Sequence, residues 1–573
     1  MRRSFSLACL TFVSALSAHA SAQLELGSAL RSLQRSGTSE LPRALLTTGG
    51  SVAVLAEYPD DSGLSELLVG GRYRPIWLDA GELTTFTHDH PQVKLHWAPP
   101  RRTLLDNAQR WVGAESFRNT TGLSGKGVVI GIVDTGLDVK HGDLRAADGT
   151  SRVRYLVDFS RPPGDRQPEL EEEYGCGSDS QCAIYDNEDL DALIANGVTG
   201  DEPNDVFGHG THVASLAAGN GLSSKTPRYI GIAPEATIFG ARVSRTADGS
   251  IQDPDIILAT RFVFEQAERL GMPAVVNLSL GSDFGAHDGT SALEHALASF
   301  VGPQYPGRAI VVAAGNSGGL YSGIGSSEPE PYGIHTEVHV PRDSPVEVPI
   351  LTPTPELGGV TGATVFVWLG FEPGDDVAIG VDAAGKELAP SVASGTSTTY
   401  SRDGYEATVF NGPTNDSASI RVGSHDAVVV LDGDFSPGTV FTLRLSGHGT
   451  VNLWLESSGG ASPELSLGAL FPRGEKQGTI NVPASHPDLI AVGSTVNRNR
   501  WRDSKGKPFL VAESEGSAQL AGVDGTAVTS AAGPNALGVM KPDIVAPGMY
   551  VIGALASAAD PRSNGGVGLF ASN

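Results

Sequence analysis

Apolar residues in the middle of the chain occur in continuous runs of strand length, separated by segments of helical periodicity. The runs lie at residues 127–133, 236–243, 274–281 and 309–314. Such runs are typical of strands buried on both faces of a parallel sheet, whereas residues 253–270 and 291–300 space their apolar side chains as helices do. The alternation predicts an α/β fold in which helices flank a parallel sheet.

The segment before this pattern predicts a separate small unit. Residues 51–56 and 93–97 are typical of strands, and a short helix is expected around residues 62–69, so residues 23–103 are expected to form an α+β module. The end of the module, Pro99-Pro100-Arg101-Arg102, has the composition of an exposed and cleavable linker.

A β-rich segment interrupts the alternating pattern between residues 319 and 478. It holds seven strand-length stretches separated by Gly, Asp and Pro, which predicts an inserted all-β sandwich. Core packing is the preferred role for Trp368 and Trp454 within it, with sugar or peptide binding as the alternative. Residues 104–318 and 479–573 are then two parts of one α/β domain.

Charge and the first residues indicate where the protein works. Acidic side chains outnumber basic ones, 65 to 40, for a formal net charge of −25, which argues against nucleic acid and anionic membranes as partners. Arg2 and Arg3 precede an apolar stretch, and Ala20-Ser21-Ala22 follows as a cleavage pattern. Residues 1–22 are therefore predicted to be a signal peptide and the protein to be secreted, with no membrane-spanning segment after the leader.

A long acidic loop spans residues 158–205 and holds the two cysteines that remain after removal of the leader. Cys176 and Cys182 could close a small disulfide in an oxidising compartment, with two free thiols as the alternative. Oxygen-rich loops can bind calcium, but the twelve-residue calcium-loop spacing does not occur here. No metal site is predicted, no cofactor is required, and structural calcium is left unassigned.

Two titratable residues lie where catalytic groups are expected. Asp134 directly follows the apolar run at 127–133, at the edge where open α/β sheets carry their functional groups, with a simple turn as the alternative. His209 begins a small-residue helix and is expected at its exposed mouth, a place suited to a general base. A core histidine with satisfied hydrogen bonds is the alternative.

Five short segments combine glycines and small residues with polar side chains. They are Asp-Thr-Gly at 134–136, Gly-His-Gly-Thr-His-Val-Ala at 208–214, Asn-Leu-Ser-Leu-Gly at 277–281, Ala-Gly-Asn at 314–316 and Lys-Pro-Asp-Ile-Val-Ala-Pro-Gly at 541–548. Together, and in this order, they resemble the motifs of the subtilisin-like serine proteases, the subtilases. The resemblance covers about residues 104–318 and 479–573.

The resemblance implies roles for the polar residues. It makes His209 the general base and Asp134 the carboxylate that orients its imidazole. Asn316 resembles the family's side-chain donor to the oxyanion of the tetrahedral intermediate. His212 takes a structural role, because the family's base matches the first of the two histidines.

The resemblance also implies a substrate and an inhibitor. Ser279, Leu280 and Gly281 resemble the backbone edge on which an extended polypeptide substrate pairs as an added strand. The N-terminal module resembles the family's propeptide, which assists folding and inhibits the enzyme until it is cut away. The β-rich insert resembles the jelly-roll domain that some subtilases carry at this place.

The family's nucleophile motif, a Gly-Thr-Ser-Met-Ala-like sequence, is expected a little beyond residues 541–548 and does not occur before Asn573. Ser397 lies in the β-rich insert, Thr290 or Ser291 is better explained as a helix N-cap, and Ser530 precedes a surface turn. The chain is therefore expected to end before its catalytic serine. It should then be almost inactive, because loss of the nucleophile costs on the order of 10⁶ in turnover in subtilisin.

Two functions remain compatible with the sequence. The first is a secreted serine endopeptidase that hydrolyses peptide bonds through an Asp-His-Ser triad. The alternative is a non-catalytic pseudoprotease that binds peptides or a partner enzyme. Retention of Asp134, His209 and Asn316 together favours the endopeptidase, because a binding protein needs neither a base nor a carboxylate to orient it.

Overall fold

A computed structural model covers most of the chain from the first predicted strand onward. It describes residues 52–58, 73–97, 100–103, 112–164, 166–177, 182–196, 203–223, 229–246, 250–322, 331–352, 361–412, 425–436, 439–458, 468–502, 508–510 and 522–560. The predicted signal peptide lies outside the described residues. None of the helices within these ranges is long and apolar enough to cross a membrane.

In the part of the N-terminal unit that the structure describes, there are three antiparallel strands and one helix; the helix expected around residues 62–69 lies outside the described residues. The described elements are β1 (Val52–Glu57), β2 (Tyr73–Leu78), α1 (Ala80–Asp89) and β3 (Lys94–Trp97), with the strands in the order β2-β1-β3. The helix begins with a reciprocal cap, because Glu82 N–H donates to Asp79 and Asp79 N–H donates to Glu82. The unit is α+β as expected, although β2 and α1 were not anticipated.

An eight-stranded sheet forms the centre of the α/β unit. Its strands are β5 (Val129–Asp134), β6 (Val153–Asp158), β7 (Ala183–Asp186), β8 (Thr237–Arg242), β10 (Ala274–Leu278), β12 (Arg308–Ala313), β25 (Ile490–Val496) and β28 (Ile544–Met549). Their spatial order is β28-β25-β12-β10-β5-β8-β6-β7. All neighbours are parallel except β6 and β7, so the expected parallel sheet is in fact mixed, with an antiparallel strand at one edge.

Helices cover both faces of this sheet. They are α2 (Ala114–Thr121), α3 (Pro168–Glu173), α4 (Asn187–Asn196), α5 (His209–Ala218), α6 (Asp253–Arg269) and α7 (Ala292–Ala298). Val133 of β5 belongs to the same buried cluster as Val263 of α6. The residue before it, Ile132, belongs to a different cluster, together with Ala214 of α5. Because successive side chains of a strand point to opposite faces, α5 and α6 lie on opposite sides of the sheet.

The insert is all-antiparallel. A small sheet of β13 (Tyr321–Ser322), β14 (Pro331–Gly333) and β24 (Phe471–Pro472) lies where the chain enters and leaves it. The remaining strands are β15 (His335–Val340), β16 (Val346–Leu351), β17 (Thr361–Phe371), β18 (Asp376–Ala383), β19 (Lys386–Val392), β20 (Thr396–Arg402), β21 (Tyr405–Asn411), β22 (His425–Phe435) and β23 (Val440–Ser458).

The long strand β23 joins the two layers of this sandwich. Its first half pairs with β16 and β18, and its second half pairs with β15 and β17. Gly447 and Gly449 lie at the changeover with φ of 126° and 151°, values that favour glycine and let the strand bend. The finer jelly-roll topology stays a prediction.

Two expectations concern buried side chains. Trp368 and Trp454 are both buried and pack as expected, but they pack against residues outside the sandwich core, such as Phe284. Cys176 and Cys182 form a disulfide that links the end of α3 to the start of β7, which rules out the alternative of two free thiols in this structure.

Short strands complete the structure. The strand β4 (Pro100–Thr103) lies between β9 (Ile251–Gln252) and β11 (Leu280–Gly281) and is antiparallel to both. The segment predicted to be a linker is therefore a paired strand. A separate hairpin consists of β26 (Arg500–Arg502) and β27 (Pro508–Leu510).

Candidate active site

Asp134 is the last residue of the central strand β5. Its neighbours β8 and β10 run parallel to β5 on either side, so the side chain is fully buried at the carboxyl edge of the sheet. The N–H of Thr135 donates to Asp134 Oδ1 over 2.7 Å. This hydrogen bond fixes the carboxylate as an acceptor at the end of the strand. A residue that only formed a turn would not need a carboxylate in a fixed position.

His209 is the first residue of α5 and lies against that carboxylate. Gly208 before it adopts φ 90°, which glycine tolerates, so the chain can turn sharply into the helix. The distance from His209 Nδ1 to Asp134 Oδ1 is 2.6 Å. Because a carboxylate only accepts, Nδ1 carries the hydrogen, and the neutral ring then has its lone pair at Nε2.

His209 is more buried than the sequence suggested. Its exposed fraction is 3%, whereas an exposed helix mouth was expected. The close fit of the site explains the difference: a Cβ added at Gly210 would lie 2.2 Å from the carbonyl oxygen of Gly136. Residue 210 must be glycine for α5 to approach the turn that follows Asp134.

Asp205, which was not predicted to be a site residue, bonds to residues next to both Asp134 and His209. One carboxylate oxygen accepts from Thr135 Oγ1 at 2.9 Å and from Gly208 N–H at 2.7 Å. The other accepts from the N–H of Thr211 at 2.8 Å and from its hydroxyl at 2.7 Å. Burial raises the pKa of Asp205 despite these four donors.

A signal for Asp205 was present in the sequence. An acidic residue a few positions before a helix start is a common acceptor for the unpaired N–H groups of the first turn. Asp205 stands four residues before His209, but it closes a loop rich in carboxylates and was counted with them.

His212 lies one turn further along α5 and is partly buried. Burial, with a smaller effect from His209, lowers the pKa of His212 to about 4. The ring is therefore neutral near pH 7, and a Cβ added at Gly553 would lie 2.6 Å from it. Tight packing of a neutral ring supports a structural role.

Asn316 lies in the turn after β12, at the same sheet edge as Asp134. The strands β12, β10 and β5 are adjacent and parallel, so their carboxyl ends face the same side. Asn316 itself is exposed, and the turn is fixed by bonds from Ala314 N–H to Val492 and from Gly318 N–H to Thr529. The structure thus places a side-chain amide at an accessible position of this edge.

The predicted substrate edge is occupied by the chain itself. Leu280 pairs with Thr103 and Gly281 with Arg102, while Arg101 pairs with Ile251 on the other side. Ser279 precedes this pairing, and its hydroxyl accepts from the amide of Asn277 at 2.9 Å. The groove between β9 and β11 therefore accommodates an extended backbone as a middle strand.

The three serines considered as nucleophiles have other roles. Ser291 caps α7 in a reciprocal capping box with Glu294, as expected. Ser397 lies in β20 opposite Phe410, and the buried Ser530 hydroxyl accepts from Ser494 N–H at 3.0 Å. Within the described ranges, no group of three or more His, Cys, Asp or Glu is arranged to hold a metal ion.

A buried Asp–His pair at the carboxyl edge of an α/β sheet is the arrangement that serine hydrolases with a catalytic triad use. The model of the subtilase family matches residues 125–422, just over half of the 573 residues. The chain belongs to the subtilase family, whose members are serine-type endopeptidases.

Individual relatives match shorter parts of the chain. Subtilisin from Bacillus sp. (strain TA39) is 29% identical over 246 residues, which are 41% of this chain and 47% of subtilisin. The PII-type proteinase of Lacticaseibacillus paracasei is 28% identical over 214 residues, 37% of this chain and 10% of that proteinase. The chain thus spans less than half the length of these relatives.

One solved structure resembles most of the chain. The Clostridium perfringens CspB protease is 20% identical and covers 77% of this chain and 80% of its own, with a TM-score of 0.54. At this identity the likeness shows the fold, a subtilisin-like one.

Proposed function

We propose that the protein is a secreted serine endopeptidase of subtilisin type in which Asp134 and His209 are catalytic. The observation that carries the proposal is the buried contact of 2.6 Å between His209 Nδ1 and Asp134 Oδ1. It orients the imidazole so that Nε2 can take the proton of a serine hydroxyl as that oxygen attacks the peptide carbonyl. The same nitrogen then returns the proton to the departing amine.

Asn316 is proposed to stabilise the charge that this attack creates. The carbonyl oxygen becomes negative in the tetrahedral intermediate, and a side-chain N–H donor beside it lowers the barrier. The exposed position of Asn316, at the sheet edge that Asp134 shares, supports this role.

The pairing of β4 supports a polypeptide substrate bound at Ser279, Leu280 and Gly281. An extended peptide that replaced residues 100–103 would gain the same ladders with β9 and β11. The strand also supports the role of the N-terminal unit as a propeptide, because it fills the groove that a substrate would need. The predicted signal peptide and the disulfide agree with secretion.

The test is hydrolysis of an unstructured protein by the complete gene product. The proposed mechanism needs a nucleophilic serine. The family resemblance predicts that serine in a Gly-Thr-Ser motif after residues 541–548, and this motif does not occur in residues 549–573. Hydrolysis is expected in the wild type and in His339→Ala, a change at an exposed histidine of the sandwich, and not in His209→Ala. Peptide binding without hydrolysis in all three proteins would instead support the pseudoprotease alternative.

A further inference from the structure

One face of the inserted sandwich packs against the α/β unit. Phe366 and Trp368 of β17 lie opposite Glu456 and Trp454 of β23, respectively. The residues between them, such as Val367, belong to the core of the sandwich, whereas Phe366, Trp368 and Trp454 cluster with residues outside it. Because side chains alternate along a strand, this second face points away from the sandwich core.

The segment that this face contacts is residues 282–287. Glu456 Oε2 accepts from the Ser282 hydroxyl and from the N–H of Phe284, the latter at 3.1 Å. Hydrogen bonds to a charged acceptor are stronger than those between neutral groups. Glu456 therefore fixes the backbone at Phe284 from the sandwich side.

Aromatic packing adds to this contact. The ring of Phe284 meets Trp368 edge-on at 4.9 Å and Phe366 at 5.5 Å. His287 stacks on Trp454 with a ring separation of 4.6 Å and an interplanar angle of 5°. The geometry of all three pairs is favourable for aromatic rings.

The backbone of the segment is constrained at the same place. His287 adopts φ 51°, an uncommon value for a residue with a side chain. Its two ring nitrogens lie 2.5 Å from Ile480 O and 2.8 Å from Asp283 O. Such a conformation persists only where its surroundings determine it.

This segment begins directly after the predicted substrate edge. Gly281 ends β11, and Ser282 N–H bonds to Val482 O at 3.0 Å. Within the described residues, β11 has only two residues and pairs with β4, so its own ladder contributes little rigidity. The position of the edge then depends on β10, which ends two residues before it, and on what holds the residues after it.

We propose that the inserted sandwich positions the substrate-binding edge, with Glu456 as the positioning residue that anchors Ser282 and Phe284. The proposal rests on the proposed function for its substrate, and the sandwich contact can be tested without catalysis. Removal of Glu456 lets the segment move, and the loss falls on extended polypeptides that pair with Leu280 and Gly281. Small esters that reach only the catalytic groups are unaffected.

The first measurement is hydrogen exchange of the full chain carrying Glu456→Ala. The amides of Leu280, Gly281 and Phe284 are expected to exchange about tenfold faster or more, because a hydrogen bond to a charged group is stronger than one between neutral groups. Glu347→Ala removes an exposed glutamate from β16 and should leave these amides unchanged. The amides of β5 report whether each variant is folded.

The second measurement compares two substrates of the complete gene product. Glu456→Ala is expected to lower kcat/KM about tenfold for a peptide of six or more residues, mainly through KM, and to change an amino-acid ester less than twofold. Glu456→Gln keeps an acceptor oxygen and should lie between wild type and Glu456→Ala. If Glu456→Ala does not fold, the kinetics of Glu456→Gln test the positioning role of Glu456 instead.

The outcomes separate this proposal from the proposed function. Faster exchange at Leu280 and Gly281 without any hydrolysis would keep the sandwich contact and reject the endopeptidase. Hydrolysis with unchanged exchange at these two residues, or an equal loss for peptide and ester, would reject the positioning role of Glu456.

Discussion

At the scale of single residues, the site depends on one buried carboxylate that touches no substrate. Asp205 bonds to Thr135 beside Asp134 and to Gly208 and Thr211 on either side of His209. It therefore holds the segments of Asp134 and His209 at a fixed distance from each other. A positioning residue of this kind changes catalysis through geometry and not through its own proton.

Asp205→Asn is expected to weaken the Asp134–His209 contact. An amide offers one acceptor oxygen for four donors, and each donor left unsatisfied costs about 1–3 kcal/mol. The low-field proton resonance of His209 Nδ1–H should shift upfield, and kcat should fall about tenfold or more while KM changes little. The matched control is Asp148→Asn, because exposed Asp148 also accepts both the N–H and the hydroxyl of a threonine two residues on. An unshifted resonance in Asp205→Asn would contradict the positioning role.

Asn316→Ala tests the proposed oxyanion donor. In subtilisin, loss of the corresponding kind of donor lowers kcat by about 10²–10³, and a similar fall is expected here with little change in KM. Asn119→Ala, at an exposed position of α2, should leave kcat within about twofold of wild type. Steady-state kinetics with one peptide substrate gives kcat for both variants. Equal kcat values would contradict the role of Asn316 as the oxyanion donor.

At the scale of elements, strands that carry an apolar run could be predicted and strands defined by their partners could not. The run at 127–133 identified β5 because both of its faces are buried. The strand β4 consists of Pro-Arg-Arg-Thr, which suggested a linker, and becomes a strand only because β9 and β11, far along the chain, pair with it. The edge strand β7 was hidden in the acidic loop for the same reason.

The site followed the same rule. Asp134 and His209 stand at a strand end and a helix start that local patterns mark, so they could be found from the sequence. Asp205 and Glu456 act through contacts with residues distant in sequence, and their own surroundings look like ordinary polar surface. Long-range hydrogen bonds of this kind leave no periodicity to detect.

The helix α7 contains a buried acid that makes stability depend on pH. Glu294 caps the helix, is fully buried and accepts from Ser291 and Ser485. Burial raises its pKa from 4.5 to about 7. Between these values the native state binds more protons than the unfolded state, so this contribution to stability is present below pH 4.5 and is lost as the pH rises through 7.

Glu294→Gln removes that titration. The free energy of unfolding of the wild type minus that of Glu294→Gln should therefore decrease as the pH rises from 4.5 to 7 and level off above 7. Urea unfolding at a series of pH values measures this difference. Buried histidines titrate in both proteins, so their contributions to the free energy of unfolding cancel in the difference. A difference that stays constant, or increases with pH, would contradict the raised pKa.

At the scale of the whole molecule, the site is assembled from segments that lie far apart in the sequence. Asp134, His209 and Asn316 come from the first part of the α/β unit, whereas Val482 and Val492, which fix the neighbouring turns, come from the part after the insert. In sequence, the sandwich is inserted between these two parts of the α/β unit. In space, it contacts the α/β unit beside the predicted substrate edge. The N-terminal unit reaches the same edge through β4.

The proposed function requires His209, oriented by Asp134, to activate a serine. The most direct test is labelling of the complete gene product with a fluorophosphonate, a reagent that reacts with base-activated serines, followed by peptide mass spectrometry. One serine should be labelled in the wild type and none in His209→Ala, and Asp134→Asn should slow the labelling by about 10⁴. Labelling that is equally fast in His209→Ala would contradict the account.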